Sequence, residues 1–311
     1  MEVQVAGVAK ALKADIKVKR VAPGGVWRLL APWIGMDPRD GFGKEGGQFA
    51  PPWPDIVLAT GRLSIPALRA IRKASPETYT VIIQDPRTGG SSADFIAVPA
   101  HDKLTGDNVM HTLTAPHKFL PERLSELRRK VPEDIASLPR PRVTIILGGP
   151  NAIYKFTGED SARLGASLAS LASLGASFLI TVSRRTPDHA LKVVEDATAK
   201  SPRLVWSGKG ENPYEHWLAH GDMFVVTADS INMTGEACAT GKPVYVFEPE
   251  GGSAKFDRFH ESLRRYGATR RLPERFEQLE SWTYAPLDSA TQIAAEIERR
   301  WSEKQAHAVG G

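Results

Sequence analysis

The stretch from Met223 to Phe247, MFVVTADSINMTGEACATGKPVYVF, does most to limit what this chain can fold into. Its apolar runs, Phe224-Val225-Val226 and Val244-Tyr245-Val246-Phe247, read as buried strands. Between them, Thr227 to Asn232 supplies side chains that bond backbone amides, the residue set of a helix start, and Gly241 with Pro243 marks the helix exit. In a parallel sheet, the loop of such a strand-helix-strand unit lies at the carboxyl ends of the strands, where open α/β folds bind ligands. The helix start offers amides to an anion there. Ser230, Asn232, Met233 and Thr234 are therefore candidate ligand contacts. Glu236, one turn inside the helix, is placed to accept bonds from a sugar's hydroxyls.

The same alternation runs through most of the chain. In the first half, residues 55–62, 80–87 and 95–99 read as strands, with a helix from Ser64, which should cap it. Their polar ends bring Gln84, Asp85, Arg87, His101 and Asp102 toward one sheet edge. His101 beside Asp102 is a candidate general acid or base, with ordinary turn hydrogen bonding as the alternative. The second half opens with a strand over 142–147 running into Gly148, Gly149 and Asn151. The paired glycines either let backbone approach a phosphate or make a plain turn. The strand from Ser177 ends in Arg184 and Arg185, and Arg184 is the candidate for a bidentate diphosphate contact. Helices over about 160–174, to about Ala199, over 213–218 and from about 256, with a strand at 203–206, complete the alternation.

This pattern predicts an α/β protein of two Rossmann-like domains facing across a cleft. The Pro-bracketed Leu138-Pro139-Arg140-Pro141 is the best boundary, giving domains over 1–138 and 141–286 and a helix over 287–306, with residues 303–311 expected to be disordered. At the N-terminus, Val3 to Leu12 reads as an amphipathic helix and Ile16 to Val21 alternates like a strand. Residues 22–54 hold too much Pro and Gly for long regular structure. Their aromatics, Trp27, Trp33, Phe42, Phe49 and Trp53, either cap the core or, with Leu29, Leu30, Ile34, Arg28 and Lys44, face an anionic lipid surface.

Composition narrows the function. A net charge of +4 over 311 residues suits an anionic nucleotide or lipid surface and is too small to argue for nucleic acid. The single cysteine, Cys238, excludes an internal disulfide and a multi-cysteine zinc site. No signal peptide or spanning-length apolar run is present, so the expected compartment is the cytoplasm, with the inner membrane as a surface of contact.

The loop-helix over 227–237 is similar to the nucleotide-sugar site of GT-B glycosyltransferases, such as the lipid-A-disaccharide and peptidoglycan GlcNAc transferases. Together with ATGRLSIPAL (59–68), IIQDPR (82–87), VPAHD (98–102), LGGPN (147–151) and TVSRRTP (181–187), it makes the whole chain resemble the ELM-type mitochondrial-fission-factor family of plants and bacteria. Members carry a further strand and a Gly-containing loop ahead of the first helix, so the resemblance implies a first domain lacking its first strand. Two functions follow from it. One is a nucleotide-sugar-binding protein, working as a metal-independent glycosyltransferase with no cofactor, whose donor half comprises Gly148, Gly149, Arg184, Ser230 and Glu236. The other is a non-catalytic membrane or scaffold protein with a protein partner, as for the plant members, which recruit a dynamin-related protein. An epimerase is disfavoured by the absence of an early GxGxxG and of a Tyr-x-x-x-Lys pair.

Overall fold

A computed structural model describes residues 2–309 of the chain. It divides into two compact units, Met1–Lys118 with Asp288–Gly311, and Phe119–Leu287.

The first unit contains α1 (Glu2–Ala11), α2 (Gly25–Leu30), β1 (Ile56–Thr60), α3 (Ile65–Ala74), β2 (Tyr79–Ile83), β3 (Phe95–Pro99) and β4 (Val109–Thr112). All four strands are parallel, in the order β1-β2-β3-β4. The runs YTVII and FIAVP are buried at every residue, as central strands covered on both faces must be. At one edge, β1 pairs with β2 alone among the described residues. Ser64 precedes α3 without capping it: its hydroxyl turns back to the carbonyls of Thr60 and Gly61, at 2.9 and 2.8 Å. At the other edge, β4 (VMHT) is half exposed, so it carries no apolar run by which to be found.

Residues 16–21 are not a strand. Ile16 and Val18 are exposed, so the alternation has no buried face to reward pairing; the segment is held by side chains instead, with Gln48 Nε2 donating to Arg20 O at 2.9 Å. The aromatics of 22–54 divide. Phe49 is buried, and Phe42 and Trp53 stack at 5.3 Å beside it, against Ala67 and Ile71 of α3. In contrast, α2 buries none of its residues; Leu29 is 74% and Trp33 65% exposed, while Trp27 and Ile34 are half-buried.

The second unit holds α4 (Pro121–Arg129), α5 (Glu133–Ala136), β5 (Arg142–Leu147), α6 (Gly158–Ser173), β6 (Ser177–Val182), α7 (Asp188–Ala197), β7 (Arg203–Trp206), α8 (Tyr214–His220), β8 (Met223–Thr227), α9 (Ile231–Cys238), β9 (Val244–Phe247), α10 (Ala254–Tyr266) and β10 (Thr269–Arg271). Its six parallel strands run β10-β9-β8-β5-β6-β7. The chain steps outward from β5 through β6 to β7, then returns to lay β8 on the other side of β5. The order therefore reverses between β5 and β8. Leu164, Leu168 and Leu171 of α6 are fully buried on this sheet, each worth about 1.5–3 kcal/mol of burial. A reciprocal Thr157–Asp160 capping box starts that helix.

Residues 119–138, which the sequence puts with the first half, lie in this unit. Arg128 donates to the carbonyls of Ala219 and Thr240 at 3.1 and 3.2 Å, and Ile135 and Leu138 pack on Leu179 and Trp217.

The last helix, α11 (Ser289–Val309), belongs to the first unit. Ser289 and Thr114 share a hydroxyl bond of 2.8 Å, and Arg300 donates to Asp107 O at 3.0 Å. Helix runs on through most of 303–311, where disorder was expected. Ion pairs such as Arg299 to Glu296 support its exposed face, and Lys304 donates to Thr78 O. Gly310 and Gly311 lie outside the described residues.

Candidate functional site

In an open parallel sheet, the loops on either side of a reversal in strand order part and leave a crevice at the carboxyl edge. Here those loops are Gly148–Asn151 after β5 and Ala228–Ser230 after β8. A buried carboxylate ties them together. Asp229 Oδ1 accepts from Thr227 Oγ1 at 2.6 Å, and Oδ2 accepts from Gly149 N at 3.0 Å and Arg185 Nη2 at 3.1 Å. Thr227 Oγ1 accepts in turn from Gly148 N at 2.8 Å.

The amides of both glycines are thus given to protein acceptors. A Cβ on Gly148 would lie 2.1 Å from Asp229 Oδ1, and one on Gly149 would lie 2.1 Å from Arg185 O. Gly148 is required by the closeness of the β8 loop, and Gly149 by that of the turn after β6. Asn151 is also a brace: its Oδ1 accepts from the amides of Ile153 and Tyr154, at 2.7 and 2.8 Å.

The turn after β6 uses its two arginines differently. Arg185 reaches Asp229 and Pro150 O, whereas Arg184 is exposed and makes no hydrogen bond or ion pair among the described residues. Arg185 is therefore the guanidinium built into the loops. The sequence offered no ground for this choice, because consecutive residues of a turn point apart whichever is chosen.

Ser230 is the N-cap of α9, its Oγ accepting from Met233 N at 3.3 Å, and Thr234 is buried with its hydroxyl on Ser230 O at 2.9 Å. Asn232 is exposed on the first turn. Met233 lines a cavity of about 130 Å³ with Ile146, Thr181 and Val182 from the ends of β5 and β6, Trp206 at the end of β7, and Tyr214. Asn212 completes the wall, which is mostly apolar and aromatic. The cavity is far below the roughly 300–1,000 Å³ of a drug-sized pocket and suits a single planar ring. Glu236 Oε2 accepts from Tyr214 Oη at 2.6 Å. Burial, together with the charge of Glu236, holds the Tyr214 hydroxyl well above its usual pKa, so it remains the donor.

His101 belongs to the first unit, just after β3. It is buried, and its Nε2 lies 4.0 Å from Asp102 Oδ1, too far for a hydrogen bond. Asp229, Arg185, Tyr214 and Trp206 were not anticipated by the sequence, although Asp229 stands inside the loop that it singled out.

Two parallel α/β sheets in separate units, one with a reversal of strand order, define a protein of the GT-B fold class. The UDP-GlcNAc 2-epimerase from Methanocaldococcus jannaschii shares the fold with a TM-score of 0.50 at 10% identity, over 79% of this chain and 77% of that one. The chain belongs to the mitochondrial fission ELM1 family, whose model matches residues 1–301. The mitochondrial fission protein ELM1 of Arabidopsis thaliana is 31% identical to it over 318 residues, covering 94% of this chain and 69% of that protein. An uncharacterized protein, RP120, of Rickettsia prowazekii is 27% identical over 277 residues, 78% of each chain. Among the described residues, no helix is long and apolar enough to cross a membrane.

Proposed function

We propose that the second unit binds a nucleoside diphosphate of the nucleotide-sugar class at the carboxyl edge of its sheet. The observation that carries this reading is the coincidence of three features at one edge: the β5/β8 reversal, the capped start of α9, and the ring-sized cavity between Trp206 and Met233. The base enters that cavity. The diphosphate meets the first turn of α9 at Ser230, Asn232 and Met233, where the helix dipole favours negative charge. Arg184, on the same edge, is a guanidinium that makes no bond to a protein acceptor among the described residues. Gly148 and Gly149 shape the site and give it no amides. Glu236 takes the ribose hydroxyls beside Tyr214, since a carboxylate has about four acceptor positions. If the bound nucleotide-sugar reacts, the same groups stabilise the leaving diphosphate, and the chemistry is glycosyl transfer without a metal. A UDP-GlcNAc 2-epimerase on the same fold makes uridine nucleotides the first ligands to try.

The test is thermal unfolding of the full chain against a panel of nucleoside diphosphates and their sugars. A ligand at a hundred times its Kd adds about 2.7 kcal/mol, or roughly 5–10 °C for a unit of this size. Absence of a shift with every member overturns the reading. With the ligand so found, Glu236→Gln is expected to weaken binding about ten-fold or more at unchanged stability, because charge-assisted hydrogen bonds are lost. Equal affinities would remove Glu236 from the site.

The exposed apolar residues of α2 support a second reading, in which the first unit lies against an anionic membrane. Val26, Leu29 and Leu30 of α2 and Trp33 just after it are exposed, as is Arg28, and Arg39 lies 5.9 Å from the Trp27 ring. The expected result is sedimentation with vesicles containing anionic lipid, reduced several-fold by high salt and by Leu29→Ser with Trp33→Ser. Sedimentation unchanged by that double substitution would count against it.

A further inference from the structure

The cavity at Met233 carries two polar side chains, Thr181 and Asn212, that the nucleotide reading leaves unused. Thr181 stands in register between Ile146 of β5 and Trp206 of β7, so its neighbours across both strands are apolar. It is 4% exposed, and its hydroxyl makes no hydrogen bond among the described residues. Threonines on other strands are bonded: Thr80 Oγ1 donates to Asp94 Oδ2 at 2.7 Å, Thr144 Oγ1 to Trp217 O at 3.1 Å, and Thr227 Oγ1 to Asp229 Oδ1 at 2.6 Å. An unbonded buried hydroxyl costs stability that valine, of nearly the same shape, would avoid. The Thr181 hydroxyl is not sealed, however. It keeps accessible surface, and the cavity is where that surface opens. Trp206 differs, because its Nε1 is sealed; it gives the cavity a ring and no donor.

Asn212 is the exposed member of the lining. Its Oδ1 accepts from Tyr214 N at 3.0 Å, which fixes the sense of the amide. Nδ2 has no partner among the described residues and is the end left for an occupant, as a donor only. Tyr214 Oη already donates to Glu236 and adds no second donor. The cavity thus offers an obligate donor at its exposed end and, at its buried end, a hydroxyl that can donate or accept.

A pyrimidine matches this set. Its edge joins a carbonyl, which only accepts, to N3, which donates in uracil and accepts in cytosine. Asn212 Nδ2 serves the carbonyl, and the Thr181 hydroxyl serves N3 in either form. The faces of the ring meet the Trp206 ring and the Met233 thioether. Adenine has no carbonyl, and either purine brings a second fused ring into a space suited to one. We infer that the occupant of this cavity is a pyrimidine base, held at a carbonyl by Asn212 Nδ2 and at N3 by the Thr181 hydroxyl, so that these two side chains determine base choice; this rests on the nucleotide reading above.

The test is calorimetry of the full chain with UDP, CDP, ADP and GDP. The pyrimidine nucleotides should bind about ten-fold or more tightly than either purine. Thr181→Val, which removes the hydroxyl and keeps the shape, should weaken UDP and CDP roughly five- to ten-fold and narrow their lead over the purines. The thermal midpoint of the ligand-free variant should be unchanged or raised, a combination that a merely structural threonine would not give. Asn212→Asp keeps an acceptor for Tyr214 N but loses the donor, and should weaken UDP several-fold, which provides a second variant at an exposed position. Equal affinities for UDP, ADP and GDP, or Thr181→Val and Asn212→Asp both binding UDP as wild type does, would overturn the base assignment and leave the nucleotide reading standing. Binding of none of these nucleotides would overturn both.

Discussion

Asp229→Ala is expected to lower the stability of the second unit by roughly 3 kcal/mol. The carboxylate is fully buried and takes bonds from Thr227, Gly149 and Arg185, at 2.6, 3.0 and 3.1 Å. Its removal strands a buried backbone amide and a buried hydroxyl, each of which loses its partner where water does not replace it. Arg185, half exposed, recovers water, which keeps the loss at the lower end of the range for breaking a buried ion pair. Urea unfolding should show a lower midpoint at an unchanged slope, the sign of lost stability with no change in the surface exposed on unfolding. Asp229→Asn, which keeps one acceptor and the shape, should recover part of the loss. An alanine variant as stable as wild type would mean that this carboxylate does not hold the two loops together.

Gly149→Ala should be nearly as damaging for a different reason. The added methyl would meet Arg185 O at 2.1 Å, Arg185 C at 2.4 Å and Thr186 N at 2.9 Å, all of them backbone. That backbone is itself fixed: Ser183 N donates to Thr186 Oγ1 at 2.9 Å, and Thr186 Oγ1 lies 2.6 Å from Gly148 O. Neither loop can yield without breaking bonds, so the cost falls at the upper end of the roughly 1–3 kcal/mol of overpacking. Gly165→Ala is the control. There the new methyl meets the end of the Val193 side chain at 2.5 Å, which can rotate away, and Ala favours helix over Gly. Thermal unfolding should separate the two clearly, and equal losses would show that the closeness of the Gly149 loop carries no special weight.

The alternation of strands and helices was legible because central parallel strands are apolar at every position, as YTVII, FIAVP and RVTIIL nearly are. The edge strands β4 and β10 were not, since VMHT and TRR are half exposed and carry no such run. The reverse error occurred at 16–21, where an alternating pattern had no sheet to join. At the site, the sequence placed a loop and helix start over 227–237 and put Glu236 one turn inside that helix, but it did not single out Ser230 as the cap. Which side chains close the loop was not readable. The roles of Asp229, Arg185 and the paired glycines depend on β8 returning beside β5, a pairing between segments about 80 residues apart that no local pattern encodes.

Hydrogen exchange of the full chain with and without saturating UDP tests the central claim most directly. The expected result is slowed exchange over 203–214 and 230–238, the residues around the cavity and the first turns of α9, with the first unit unchanged. Protection confined to the first unit, or no protection at any concentration, would contradict it.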